Sequence, residues 1–191
     1  MTTADSLSQI QRFANVFVVL LSLALGALVL FHLFVVGMLS FFHDGGAWHA
    51  ALSFSATGTN LSVFSGVDHT NTVLIEALRW PQRAILSLIS IACAIGNGLV
   101  LFHLRQLFAL YSRGVIFSQN NIYHIKRFGL WLVIGAIVIN ISGRMFQMIT
   151  GHAPQEIANS LMAFLYGGMT YVIARVMELG READQERKEF I

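Results

Sequence analysis

Cysteine, proline and charge are all scarce in this chain of 191 residues. The single cysteine, Cys93, excludes an internal disulfide and any metal centre built on several thiolates. Two prolines leave room for long uninterrupted helices. Charged side chains make up 12% of the sequence, against roughly 25% in an ordinary soluble domain. A formal net charge of +2 is too small for a nucleic-acid-binding surface, so direct contact with DNA or RNA is not expected. There is no G-x-S-x-G elbow, no H-E-x-x-H pair and no G-x-x-x-x-G-K loop. No apolar segment carries the paired carboxylates of proton-coupled transport. These absences argue against an enzyme, and no catalytic residue, metal ligand set or cofactor is assigned.

Apolar length is abundant: 55% of the residues are hydrophobic. A helix needs about 20 mostly apolar residues to cross the hydrocarbon of a bilayer, and four runs meet that length, at about 14–42, 84–111, 128–149 and 156–177. The first far exceeds the core of a secretory signal and reads as an uncleaved anchor. Lys and Arg set the orientation. Arg12 precedes the first run; Arg105, Arg113, Lys126 and Arg127 flank the connection between the second and third; Arg175, Arg181, Arg187 and Lys188 follow or end the fourth. The segment 43–83 has only Arg79 and Arg83, at its end. The expected fold is an all-α integral membrane protein with four transmembrane helices in one domain. Both termini lie in the cytoplasm, residues 43–83 form a small extracytoplasmic cap, and 178–191 form a cytoplasmic tail.

The connections carry local signals. Residues 43–83 are rich in Gly, Ser, Thr and Asn, with strand-like runs such as NLSVF and a helical-looking NTVLIEALRW. Trp80 beside Pro81 and Arg83 suits an interfacial anchor. Ser118 is the expected N-cap of the third helix, with Ile122 and Ile125 on one face. Pro154 and Glu156 suit the first turn of the fourth. The segment LGREADQERKEFI is expected to prolong that helix past Gly180, with Asp184 and Lys188 spaced to pair.

The stretch LRQLFALYSRGVIFSQNNIYHIKRFGLWL, with a Y-x-x-G-x-x-F core at Tyr111, Gly114 and Phe117, resembles the signature of domain of unknown function 2975. The ending MTYVIARVMELGREADQERKEFI resembles the close of that family too, and the resemblance covers roughly 74–191. It implies a four-helix protein of a bacterial cell membrane without assigned enzymatic activity. It also implies, for some members, a small helix-turn-helix regulator as cytoplasmic partner.

Two groups of candidate residues follow. Tyr111, Arg113, Gly114, Phe117 and Lys126, with Glu182, Glu186 and Ile191 of the tail, would form a partner-binding surface. The same loop has a purely structural reading, in which Gly114 is a left-handed helix cap and Arg113 sits near the negative end of the dipole. Arg144, with Gln147 and Asn140, would form a ligand site, or Arg144 would pair with Asp44, Asp68 or Glu76. Asn97 between Gly96 and Gly98 suits close helix packing, with Tyr166, Gly167 and Gly168 as the opposing surface. Met145, Met148, Met162 and Met169 read as core filling.

Five histidines, His32, His43, His49, His69 and His152, fall toward the outer side without recognised ligand spacing. His103 and His124 are close enough in the expected hairpin to be weighed as a haem-ligating pair. The leading expectation is a non-enzymatic sensor or regulator in the bilayer that binds a cytoplasmic protein. The alternatives are an extracytoplasmic metal or small-ligand binder, and an accessory subunit of a homo-oligomer or larger membrane complex.

Overall fold

The computed structural model describes residues 3–41, 49–55, 58–64, 73–114, 118–151 and 160–189. Four long helices organise them: α1 (Thr3–Phe41), α2 (Trp80–Ser112), α3 (Gln119–Thr150) and α4 (Ser160–Glu189). Between α1 and α2 run β1 (His49–Ser55), β2 (Gly58–Phe64) and β3 (Val73–Leu74), followed by a 3-10 turn at Ile75–Ala77. The strand-like NLSVF is part of β2. β1 pairs antiparallel with β2, His49 opposite Phe64 and Ser55 opposite Gly58, and with β3, Leu52 opposite Val73, giving the order β2-β1-β3.

Three helical segments, Gln9–Phe41, Trp80–Ser112 and Gln119–Thr150, are long and apolar enough to cross a membrane. α1 shows why. Between residues 9 and 41 only Ala14, His32, Val35 and Leu39 are buried, while Phe13, Leu23, Leu30 and Leu33 are exposed around the helix. A helix apolar on nearly every face suits hydrocarbon and not water. The four methionines differ from expectation: Met145, Met148, Met162 and Met169 are all exposed. They lie on outward faces, where a flexible thioether fills no gap.

Helix ends are closed by specific groups. Backbone N–H of Arg79 donates to Gln82 Oε1 at 2.8 Å, the reach-back of a capping box, and Gln82 Nε2 donates to the Ile149 carbonyl at 3.0 Å. One side chain thus satisfies the start of α2 and an end carbonyl of α3. Ser118 caps α3 as expected, its Oγ accepting from Asn121 N–H at 3.2 Å. α3 ends at Gly151, whose φ of 73° permits its N–H to reach the Gln147 carbonyl at 2.8 Å. The expected first turn at Pro154 and Glu156 lies outside the described residues. α4 continues through Gly180 to Glu189, as the tail sequence suggested.

The chain divides into two compact units. One comprises 27–97 and 134–162. Its core joins Val35 and Leu39 of α1, Leu86, Ile89 and Cys93 of α2, Phe146 of α3, and Val73, Ile75 and Leu78 from the segment before α2. Buried His32 meets the Ser90 hydroxyl through Nδ1 at 2.9 Å, so this imidazole is spent on tying α1 to α2. Here Gly96 approaches Gly135 of α3, a Cβ on it standing 3.9 Å from the Gly135 Cα.

The other unit comprises 1–26, 98–133 and 163–191. Phe17 of α1 stacks on Phe108 of α2 at 4.8 Å, and Arg105 Nε donates to Ser22 Oγ at 2.7 Å. α3 meets α4 through Ile122, Ile125 and Ala174, with Leu107 and Met177 against them. The closest approach is glycine on glycine: a Cβ on Gly129 would lie 2.8 Å from the Gly167 carbonyl oxygen. Gly167 therefore packs on α3, not against the Gly96 to Gly98 segment as the sequence suggested. Glycine in both helices lets the backbones touch, which is how helices associate where lipid removes the hydrophobic drive.

Candidate functional site

The Tyr111 to Lys126 segment and the end of α4 belong to this second unit. Gly114 ends α2 with φ 75°, in the left-handed region that glycine enters without a Cβ penalty. Its N–H bonds the Tyr111 carbonyl at 3.0 Å, and Arg113 N–H bonds that of Leu110 at 3.1 Å. The capping reading of Gly114 is what the backbone shows; Phe117 lies outside the described residues. Tyr111 is half-buried, edge-on to Phe108 with centroids 6.1 Å apart, and it shares a hydrogen bond with the buried Asn121 of α3. This tyrosine binds the end of α2 to the beginning of α3. Arg113 is exposed beside it.

Lys126 points to α4. Its Nζ donates to Glu178 Oε2 at 2.7 Å, and Arg175, one turn before Glu178, holds the same oxygen. The bond from Lys126, then that from Arg175, keeps the Glu178 carboxyl below its usual range. Two cations on one carboxylate leave net positive charge where α4 passes into its charged end. Glu182 is exposed one turn further on, while the side chains of Glu186 and Ile191 lie outside the described residues. Glu178 and Arg175 were missed as site residues, although an acid closing an apolar run opposite a lysine is a readable signal.

The same unit holds a pair of histidines. His103 of α2 is buried and His124 of α3 is half-buried. Their Nδ1 atoms stand 3.1 Å apart, which is hydrogen-bond distance. Tyr123 is edge-on to both rings, at 6.3 and 5.3 Å between centroids, and Arg127 caps the Tyr123 face at 5.4 Å. Imidazoles in direct contact leave no room for a haem between them, so the axial-ligand pairing weighed from sequence does not fit this geometry. Among the described residues no group of three His, Cys, Asp or Glu side chains converges on one point.

The second candidate group lies in the other unit, on α3. Asn140 Nδ2 donates to the Ala136 carbonyl one turn back, at 2.8 Å, so part of its amide is already committed. Arg144 and Gln147 are exposed, and Arg144 has no ion pair among the described residues. Asp44 and Asp68 fall outside those residues. The three side chains follow one face at helical spacing but are not drawn into a shared site. The outer histidines are not drawn together either: His32 is bonded to Ser90, His43, His69 and His152 lie outside the described residues, and of His49 only the backbone, in β1, is described.

Comparison with known proteins adds one relationship. Neither the curated proteins nor the solved structures contain a match to this chain. A family model described as a protein of unknown function (DUF2975) matches residues 67–190, taking in the whole of α2, α3 and α4. The match spans the Tyr111, Gly114 and Phe117 signature and the charged end of α4, and on that extent the chain belongs to the DUF2975 family.

Proposed function

We propose that this is a non-enzymatic, four-span protein of the bacterial cell membrane, with both termini in the cytoplasm, that regulates or senses by binding a soluble cytoplasmic partner. The partner would dock on the Tyr111 to Lys126 segment and the end of α4. A small helix-turn-helix transcription factor is the candidate that the family resemblance brings forward.

The observation that carries the reading is the continuity of α4. Along residues 162–176 only Gly167 and Ala174 are buried, and large apolar side chains such as Leu165, Val172 and Ile173 are exposed. That surface supports a fourth crossing. The helix then runs unbroken to Glu189, fixed at Glu178 to Lys126 of α3. A charged helix end tied by Glu178 to the start of α3 would offer one surface with the segment before it, on which Arg113 and Glu182 are exposed.

Affinity purification of the full chain in mild detergent from its own host, beside a chain ending at Gly180, tests this reading. Quantitative mass spectrometry should find a soluble protein enriched at least about tenfold with the full chain and at background with the shortened one. That ratio corresponds to roughly 1.4 kcal/mol of binding. Equal recovery of every soluble protein by both chains would overturn the reading, as would enrichment of membrane proteins only.

A further inference from the structure

His103 and His124 are joined in a way that couples the protons on their rings. The Nδ1 atoms are 3.1 Å apart and the ring centroids 5.4 Å apart. The larger distance is the smaller one plus a ring radius at each end, so the two imidazoles meet head-on along one line. A hydrogen bond requires that line. Two nitrogens chelating a metal would instead aim their lone pairs at a point off it, and the centroids would stand closer together. With both rings neutral, one Nδ1 must carry hydrogen and the other must present its lone pair.

We propose that His103 and His124 form a single proton-binding unit that latches α2 to α3, and that uptake of a second proton breaks the latch. The inference rests on the head-on pairing and is independent of the partner-binding reading. A first added proton goes to the free Nε2 lone pair of the ring whose Nδ1 already donates. The N–H···N bond survives and becomes charge-assisted. A second proton has only the accepting Nδ1 left to occupy, because the Nε2 of that ring already carries hydrogen. Both Nδ1 atoms then carry hydrogen, the two N–H groups point at each other, and two like charges face across the pair. The bond is lost and replaced by repulsion. Titration of one ring therefore depends on the state of the other.

The surroundings favour the singly charged state over the doubly charged one. From α3, Tyr123 lies against both rings and Arg127 adds positive charge over Tyr123. From α2, Arg105 is held by Ser22 of α1, and Arg113 lies near the Gly114 turn. Among the residues whose side chains are described, α1 contributes Arg12 to this unit, and α4 contributes Glu178, bound by both Arg175 and Lys126, then Arg181 and Glu182. No carboxylate touches either imidazole among the described residues, so nothing there offsets a second positive charge. The pair stands on either side of the α2–α3 turn in the chain, and its rupture removes one of the ties between the two helices, leaving the one between Tyr111 and Asn121.

The test is nitrogen NMR on the full chain, labelled with ¹⁵N-histidine and held in lipid nanodiscs, as pH falls from about 8 to about 5. A scalar coupling between the two Nδ1 nuclei should be present at the upper end, survive uptake of the first proton and vanish with the second. His124→Gln should abolish the coupling and let His103 titrate as an isolated imidazole. Because the coupling is read in the unaltered chain, the result does not depend on the variant folding. Absence of coupling at every pH, independent titration of the two rings, or coupling that persists unchanged to the lowest pH would each overturn the proposal. So would loss of the coupling at neutral pH on adding one equivalent of Zn²⁺ per chain, which would make the pair a metal site.

Discussion

Phe146→Ala should destabilise the protein by about 3–5 kcal/mol, the usual result of emptying a phenylalanine site in a packed core. Phe146 is completely buried and is the largest side chain in a cluster drawn from α1, α2, α3 and the segment before α2. Removing the ring leaves a void that Val35 of α1 and Leu86 and Ile89 of α2 must collapse into, and the two helices hold them apart. In lipid the loss is one of dispersion contacts and shape more than of hydrophobic transfer. Thermal unfolding of the full chain in detergent checks it. Phe146→Leu should recover most of the loss, and Phe164→Ala, on the exposed surface of α4, should change little. A Phe146→Ala variant within about 1 kcal/mol of the parent would mean that this core is not closed around the ring.

Gly167→Ala is expected to cost about 1–3 kcal/mol, the range for overpacking a close contact. A Cβ at Gly167 would sit 2.7 Å from Val133 Cγ2 and 2.8 Å from the Gly129 carbonyl oxygen. Valine has little freedom to turn away in a helix, and the carbonyl has none, so α4 must withdraw from α3. Gly129→Ala meets the same contact from the other side, and the double variant should cost less than the sum of the two. Gly168→Ala provides the control. A Cβ there meets nothing within 4 Å, so the substitution should be neutral or mildly stabilising, as alanine is the better helix former. Equal melting temperatures for the Gly167 and Gly168 variants would contradict the close approach.

The parts of this structure that one stretch of chain determines were readable from sequence. The long apolar runs mark α1, α2 and α3, Ser118 marks the N-cap of α3, Gly114 marks the end of α2, and the polar alternation of NLSVF marks β2. The charged end of α4 continues the helix because one glycine in an otherwise strong helix-forming sequence costs only about 1 kcal/mol. Pairings across the chain were much less legible. Lys126 and Glu178 are 52 residues apart, and His32 and Ser90 are 58 apart. A glycine in an apolar helix does not say which neighbour it admits, and Gly167 was matched to the wrong one for that reason. The histidine pair is intermediate. His103 and His124 stand at nearly equal distances on either side of Gly114, so a hairpin turn there brings them level. The sequence suggested the meeting, but only the ring geometry distinguishes a shared proton from a haem iron.

The central claim is that α4 makes a fourth crossing and returns the charged end of the chain to the cytoplasm. Cys93 is the chain's only cysteine and is buried, so a cysteine introduced at Ser65 or at Gln185 reports on its own position. Labelling with a membrane-impermeant maleimide on sealed right-side-out vesicles should modify the Ser65→Cys chain directly, and the Gln185→Cys chain only after the membrane is permeabilised. Direct labelling of both would place the end of α4 on the same side as the strand segment, leaving three crossings and contradicting the account.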